Sequence, residues 1–350
     1  MWFLTLLLLI FILGIIILVH ELGHFLWAKK FDVYIYEFSI GMGPVIFTHL
    51  GKDKIKYNIR AVPIGGFVQM AGEVYEDDEK IDKSRFMCNK PWYQRIIILV
   101  AGVVNNFILA IILLFVGALI WGGTALKPVV KETAKNSPMA EAGIVAGDEI
   151  TEINGHRVTS WDTAQIVLYM KNKNDFSTFV IKHENGKKET YKITPSLIKD
   201  EENKTERKVF GITIANANTD GFFNSLKYSF CKFGSIVESM WMTIVGLFTG
   251  KISINALSGP VGIYQVVGQS ATQGLRSIIY IVAFLSLNVG FINILPFPAF
   301  DGGRIFFLIV EKIKGSPINS KFENICHVVG FALLILLMIY ITFQDIIKLF

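Results

Sequence analysis

The sequence predicts a polytopic α-helical membrane protein with four transmembrane helices and an α/β domain inserted between the second and the third. Hydrophobic residues make up 52% of the 350 positions, charged residues only 18%, and the mean hydropathy is +0.47, whereas soluble domains carry about 25% charged residues. Four apolar runs approach the length of about 20 residues that a spanning helix needs. A polar segment with strand and helix patterns separates two of them.

Composition and charge also exclude several classes of protein. The excess of apolar residues excludes a disordered chain, a coiled coil and a purely cytosolic enzyme. The formal charge of +5 is modest and the lysines are spread along the chain, so we expect no nucleic-acid partner. Cys88, Cys231 and Cys326 are too few and too scattered for a disulfide framework or a cysteine-based metal site.

The four predicted transmembrane helices cover residues 1–28, 96–122, 277–303 and 328–344. A signal peptide is the alternative for the first, but no basic residue precedes its apolar run and no small-residue cleavage site is present. Lys29 and Lys30 follow this run, and basic residues favour the cytoplasmic side. We therefore expect cytoplasmic segments at 29–95 and 304–327, with both termini and the inserted domain outside the cytoplasm.

The interval 196–276 is predicted to hold a linker and an amphipathic surface helix. Between residues 226 and 248, apolar residues recur at spacings of three and four, which is one stripe of a helix. Charged residues interrupt the other faces, namely Lys227, Lys232 and Glu238. Three charges make a membrane span unfavourable, so we favour a helix that lies on the outer membrane surface. The alternative is a fifth span, which would move every later residue to the opposite side of the membrane.

The first predicted helix ends in the motif His20-Glu21-Leu22-Gly23-His24. His20 and His24 are one turn apart, so both imidazoles project from the same face. Two histidines at this spacing can hold a zinc ion, and the adjacent Glu21 can act as general base on a water molecule. The alternative is a pair of hydrogen-bonded histidines near a helix end. Ionisable side chains in an apolar helix are costly and usually functional, which favours the metal site.

Asp301 is the best candidate for a third metal ligand, because two histidines leave a tetrahedral zinc short of one protein ligand. The remaining histidines stand in no ligand pattern: His49, His156, His183 and His327. Asp301 ends a long uncharged run in which Pro296 and Pro298 indicate a broken helix. The alternative for Asp301 is a simple cap of the next helix. His20, His24 and Asp301 reach the same depth only if the chain crosses the membrane twice between the histidines and Asp301. A fifth span at 226–248 would make three crossings, so the metal site requires that this helix lie on the membrane surface.

These motifs resemble the site-2 protease family of intramembrane zinc metalloproteases, in particular its bacterial regulator-of-sigma-E-protease type. The resemblance covers essentially the whole chain. It rests on the histidine motif, on Asn293, Pro296 and Asp301-Gly302, and on the segments 65–73, 86–106 and 257–263. Phe300 stands where the motif usually has leucine, and Val103 where proline is common after Ala-Gly. Neither difference removes a reacting group.

Residues 127–195 are predicted to form a compact α/β module. Ser137-Pro138 and Ser160 can each begin a helix, and Asn154-Gly155 is a hairpin signal. Together with Gly147-Asp148 this pattern resembles a single PDZ domain of the bacterial protease type. PDZ domains accept an extended peptide as an added strand. The alternative, that this module only filters substrates by size, stays open.

The resemblance implies an enzyme that uses Zn²⁺, held by His20, His24 and Asp301, with Glu21 as the catalytic base. It implies a hydrogen bond from Asn293 to the substrate backbone or the oxyanion. The same resemblance identifies the segment with Gly65 and Gly66 as a membrane-associated β-hairpin, which we expect to pair with an unwound substrate. For Asn106 and Asn288, two polar groups inside predicted helices, we expect helix-to-helix packing.

The implied substrates are single-span proteins of a bacterial inner membrane, such as an anti-sigma factor already trimmed outside or the remnants of signal peptides. Two other classes compete with this interpretation. One is a catalytically inactive membrane scaffold with a PDZ domain, and the other is a metal transporter. Glu21 discriminates between them, since neither a scaffold nor a transporter needs a base beside the first histidine.

Overall fold

The computed structural model describes residues 2–73, 80–172, 174–200 and 205–348, and it divides the chain into two units. Met1–Leu113 and Leu257–Phe350 form one, here the helical unit. Leu114–Ala256 forms the other, here the inserted unit. The inserted unit contains the predicted module 127–195 and most of the predicted segment 196–276.

Nine α-helices and ten strands follow one another in the described residues. The helices are α1 (Trp2–Lys30), α2 (Trp92–Trp121), α3 (Pro138–Glu141), α4 (Trp161–Tyr169), α5 (Gly221–Phe248), α6 (Pro260–Thr272), α7 (Leu275–Asn293), α8 (Asp301–Lys314) and α9 (Ser320–Ile347). The strands are β1 (Ile35–Leu50), β2 (Lys56–Met70), β3 (Val130–Thr133), β4 (Glu149–Ile153), β5 (His156–Arg157), β6 (Ser177–Lys182), β7 (Lys188–Ile193), β8 (Ser196–Asp200), β9 (Thr205–Val209) and β10 (Ile212–Ile214).

Five of the described helices are long and apolar enough to cross a membrane, where the sequence predicted four. They are α1, α2, α5, α7 and α9, and the additional one is the helix predicted to lie on the membrane surface. The predicted third span, 277–303, consists of two helices, because the chain leaves helical geometry after Asn293 and re-enters it at Asp301. The break that Pro296 and Pro298 indicated is therefore present.

Helices α1 and α2 pack antiparallel in the helical unit. The His24 ring lies beside the carbonyl of Ile98, and the amide of Asn105 donates to the carbonyl of Val19, so the residue numbers run in opposite directions. A β-carbon on Gly23 would lie 2.4 Å from the Ala101 carbonyl oxygen, so only glycine permits this close approach. Apolar side chains of α1, α6 and α7 form one buried cluster: Leu9, Ile12, Ile16, Val267, Ile281 and Leu285.

One end of the helical unit joins the first residues of α1 to α6 and to the end of α9. The Tyr264 hydroxyl donates to the carbonyl of Trp2. The carboxylate of Asp345, buried near the end of α9, accepts the backbone N–H groups of Gly259 and Gly262 at 2.8 and 2.9 Å. A carboxylate at a helix N-terminus satisfies unpaired amides and favours the helix dipole. Asp345 thus fastens the last helix to the start of α6.

Strands β1 and β2 form a bent antiparallel hairpin inside the predicted 29–95 segment. Residues 37–40 have partners among 56–59 on one side and among 66–69 on the other. Each strand therefore folds back along itself. Phe38 and Val68 of the hairpin form one buried cluster with Phe25, near the end of α1, and with Val33, which lies between α1 and β1. That the hairpin touches the membrane stays a prediction.

The inserted unit contains both helices and strands, and it extends beyond residue 195, where the predicted module ends. Its four-stranded sheet has the order β5-β4-β6-β7, and β10 pairs with β3 at the start of the module. Strands β8 and β9 pair within the interval predicted as a linker. That interval is dominated by charged residues and lacks the apolar alternation from which a strand can be predicted. Residues 201–204 of the predicted linker lie outside the described residues.

Helix α5 buries its polar side and exposes its apolar side. A stripe with four serines faces α4, and Lys232, only 2% exposed, pairs with Asp162 at 2.7 Å while Ser235 donates to the same carboxylate. The opposite stripe carries large exposed hydrophobic residues, including Phe223, Phe230, Trp241 and Phe248. A soluble surface helix shows the reverse arrangement. The exposed stripe of α5 therefore has the character of a surface that faces lipid.

Candidate metal centre

His20, His24 and Asp301 lie together, although Asp301 is 281 residues from His20 along the chain. The Nε2 atom of His20 is 3.0 Å from Oδ2 of Asp301, the Nε2 atom of His24 is 3.4 Å from the same oxygen, and the two Nε2 atoms are 3.2 Å apart. Both histidines are buried. No other group of three metal-ligating side chains converges in this way in the described part of the chain.

The spacing of these three atoms is close to that of a tetrahedral metal site. Zinc bonds of about 2.0–2.2 Å at tetrahedral angles place ligand atoms roughly 3.3–3.6 Å apart. The His24–Asp301 distance of 3.4 Å lies in this range, and the other two, 3.2 and 3.0 Å, are slightly shorter. The Nδ1–H of His24 donates to the carbonyl of Ile98 at 2.8 Å. When its ring is neutral, His24 keeps the proton on Nδ1 and directs the Nε2 lone pair toward Asp301, an arrangement that suits a bound cation.

Asn106 lies beside His20, a contact that the sequence did not reveal. Its amide nitrogen lies 3.3 Å from Nδ1 of His20, while its Oδ1 atom is buried and has no hydrogen-bond partner among the described residues. A half-turn of the amide exchanges the two atoms, so that the Nδ1–H of His20 donates to Oδ1. This arrangement leaves the lone pair on Nε2 of His20 available to a cation. We had expected Asn106 to serve helix packing, and no spacing rule links it to His20.

Gly102 of α2 lies directly beside the imidazole rings of His20 and His24, and its lack of a side chain keeps this space open. A β-carbon at this position would lie 2.5 Å from Nε2 of His24 and 2.8 Å from Nε2 of His20. Ordinary side chains cannot approach so closely. The space beside the two nitrogens is therefore a cradle that any residue other than glycine would fill, and it is consistent with a bound ion.

Glu21 lies between this centre and the hairpin. Its carboxylate is half-buried and interacts electrostatically with His24, His20 and Asp301. A β-carbon on Gly66 would lie 3.9 Å from the Cγ atom of Glu21, so β2 passes beside the predicted base. One side of Glu21 thus faces the metal ligands and the other faces the strand that we predicted to bind substrate.

Asn293 is a predicted site residue that forms no hydrogen bond with the three candidate ligands among the described residues. It is the last residue of α7 and is half-buried. Its predicted contact is with the substrate, so that role stays a prediction, as do the roles of Gly65 and Gly66.

A cavity of about 680 Å³ lies in the helical unit, and Arg304 and Leu308 of α8 are among the residues that line it. Arg304, one turn after Asp301, pairs there with Glu73, and Arg95 pairs with Glu311 at 2.8 Å. Burial lowers the pKa of the Arg304 guanidinium, but the Glu73 carboxylate outweighs this and holds the pKa above its usual value. Arg304 therefore stays charged and ties α8 to the segment that follows β2.

Comparison with known proteins agrees with this geometry. The family model described as Peptidase family M50 matches residues 8–337. The chain is 31% identical to the regulator of sigma-W protease RasP of Bacillus subtilis, over 97% of this chain and 98% of that one. It is 32% identical to the zinc metalloprotease RasP of Shouchella clausii, over 99% of both chains. A Fusobacterium nucleatum protein whose name also contains zinc metalloprotease is 38% identical over 99% of both chains.

Proposed function

This chain belongs to peptidase family M50 and is a membrane zinc metalloprotease, and on that basis we propose that it is an intramembrane endopeptidase. Its substrates would be transmembrane segments of single-span proteins, such as an anti-sigma factor trimmed outside the cell or signal-peptide remnants. It would act in a bacterial inner membrane. The observation that carries the proposal is the meeting of His20, His24 and Asp301 beside Glu21, within or next to apolar helices. Membership of a protease family sets aside the scaffold and the metal transporter.

In the proposed mechanism His20, His24 and Asp301 hold zinc, and Glu21 moves the proton. Zinc in such a site supplies Lewis acidity and activates water for attack on a peptide carbonyl. The Glu21 carboxylate accepts a proton from the attacking water and passes it to the nitrogen of the leaving peptide. Asn106 and the Ile98 carbonyl fix the two imidazole rings, so the ligands need no rearrangement. Asn293 is the proposed donor to the substrate carbonyl.

We predict that the purified protein binds one zinc ion per chain and that a strong chelator stops cleavage of a transmembrane model substrate until zinc is returned. His24→Ala should lower zinc affinity by at least about 100-fold, because it removes one of three protein ligands. His183→Ala, the control at a half-buried histidine of the inserted unit, should still bind one zinc. Metal analysis after dialysis measures both. Equal zinc content in His24→Ala and the parent would contradict the proposed site.

The connections of the helical unit support four spans with the termini outside the cytoplasm. Because α1 and α2 are antiparallel, α2 leads the chain out toward the end that holds Trp2. The chain returns at Gly259, which Asp345 binds at that same end. Among the described residues of the inserted unit, α5 alone is long enough to cross a membrane. If α5 crossed it, the chain would return at the end of the helical unit opposite to Trp2, whereas Gly259 lies at the same end as Trp2. We propose that α5 lies on the outer surface and that the inserted unit is the PDZ domain.

Cysteine labelling tests this topology. In a background without native cysteines, Asn218→Cys and Lys251→Cys flank α5 at exposed positions. A membrane-impermeant maleimide should label both from outside intact cells, whereas Cys88, kept alone as an exposed control in the predicted cytoplasmic segment, should react only after lysis. Labelling of only one of the two introduced cysteines from outside would mean that α5 crosses the membrane.

We further propose that the β2 segment with Gly65 and Gly66 pairs with the substrate as an added strand. A helical substrate has no free backbone groups to attack, so its scissile stretch must unwind. Gly66→Pro removes one N–H group beside Glu21, and we predict a loss of about tenfold or more in kcat/KM with one zinc still bound. Full cleavage by this variant would exclude strand pairing at Gly66.

A further inference from the structure

The backbone before Asp301 adopts a conformation that an L-residue rarely takes. Ala299 has φ +83°, in the left-handed region, and such a non-glycine residue persists only where its surroundings hold it. Its neighbours Pro298 and Phe300 also lie outside helices. The conformation matters because Asp301 follows two residues later, so the backbone at Ala299 helps to set the direction of the Asp301 side chain.

Helix α9 supplies the contacts that hold this turn. The backbone N–H of Ala299 donates to Nδ1 of His327 at 2.9 Å. Nearly one turn further along α9, Gly330 lies against Pro298 so tightly that a β-carbon would be 2.7 Å from the Pro298 carbonyl oxygen. The turn is thus clamped between one hydrogen bond and one close backbone contact, both from the same helix.

The second ring nitrogen of His327 is not used to orient the ring. Because Nδ1 accepts the Ala299 proton, the neutral imidazole carries its hydrogen on Nε2. This Nε2 atom is buried without a hydrogen-bond partner among the described residues, and the nearest Glu323 carboxylate oxygen is 3.9 Å away. Among the described residues, the hydrogen bond from Ala299 is therefore the one that the His327 ring makes.

We propose that His327 is a positioning residue, which holds Ala299 in the left-handed conformation and thereby aims Asp301 at the metal. This inference rests on the proposed zinc site. It assigns a role to a histidine that stands in no ligand pattern in the sequence. The role acts through Asp301, so its loss should weaken zinc binding itself and not only turnover.

Zinc affinity of the full-length protein in detergent tests the proposal, by competition with a chelator of known strength. His327→Leu removes the acceptor at similar volume, and we expect a loss of zinc affinity of about 10- to 100-fold, the usual range for supporting residues of a metal site. His327→Asn keeps an acceptor, because Oδ1 can take the place of Nδ1, and should recover most of the affinity. Thr342→Val is the control, since its hydroxyl bonds only within α9.

The outcomes separate this inference from the proposed function. Loss of affinity in His327→Leu with recovery in His327→Asn supports it. Parental affinity in His327→Leu, or equal losses in the leucine and asparagine variants, overturns it. If His24→Ala also keeps parental zinc affinity, the zinc site itself is misplaced and the proposed function fails instead. Thermal unfolding of the metal-free proteins shows whether a variant is merely unstable. If both variants lose zinc affinity and both lose the same amount of apo stability, the inference is overturned.

Discussion

Replacing Glu21 by glutamine is expected to abolish peptide-bond cleavage while zinc still binds. Glutamine keeps the size of the side chain but cannot accept a proton, and a general base contributes about 10²- to 10⁴-fold to the rate. The expected loss in kcat is therefore at least about 100-fold. Glu21 is not one of the three candidate metal ligands, so metal content should remain one zinc per chain. The measurement is single-turnover cleavage of a transmembrane model substrate, with metal analysis of the same sample.

The control for this variant is Glu141→Gln, which makes the same chemical change at an exposed position of α3. It should cleave at the parental rate. Residual cleavage by Glu21→Gln within a few-fold of the parent would show that another group takes the proton. Loss of zinc together with loss of cleavage would assign Glu21 to the metal and not to the proton transfer.

Gly102→Ala is expected to remove zinc binding although it adds a single methyl group. That carbon would stand 2.5 Å from Nε2 of His24 and 2.7 Å from Cε1 of His20, so both rings must shift away from Asp301. We expect zinc affinity to fall by about 100-fold or more, at or beyond the upper end of losses from outer-shell changes. Cleavage should fall with it. Alanine stabilises an isolated helix by about 1 kcal/mol relative to glycine. A loss of zinc binding in this variant would therefore not come from a weaker helix α2.

Gly234→Ala provides the matched control. Gly234 also lies inside a long helix, α5, and a β-carbon there meets nothing within 4 Å. This variant should keep parental zinc affinity and be as stable as the parent or slightly more so. Zinc binding by Gly102→Ala at parental affinity would mean that the ion does not lie between the two Nε2 atoms.

Local spacing in the sequence predicts the parts of this site that lie on one helix. His20 and His24 share a face because they are four residues apart, and Glu21 follows from the same motif. Asp301 was found differently, from a carboxylate placed after two prolines at the end of an uncharged run. The structure brings these four residues together, and the helix break before Asp301 is where the prolines indicated it.

Contacts between distant helices were beyond the reach of such patterns. Gly102, Asn106 and His327 each contact a residue of another segment of the chain, and none stands at a distinctive spacing. The inserted unit shows a second limit. Its last strand, β10, completes the module by pairing with β3, but three residues after a charged stretch give too short an apolar alternation to predict a strand.

The inverted polarity of α5 has a practical consequence for isolating the inserted unit. If this unit is released from the rest of the chain with α5 attached, a ridge of aromatic rings will face water and the fragment will oligomerise or take up detergent. Trimming the fragment before Gly221 removes the ridge but leaves the Asp162 carboxylate without its buried partner Lys232. A well-behaved fragment therefore needs polar replacements at Phe223, Phe230, Trp241 and Phe248, with the helix itself retained.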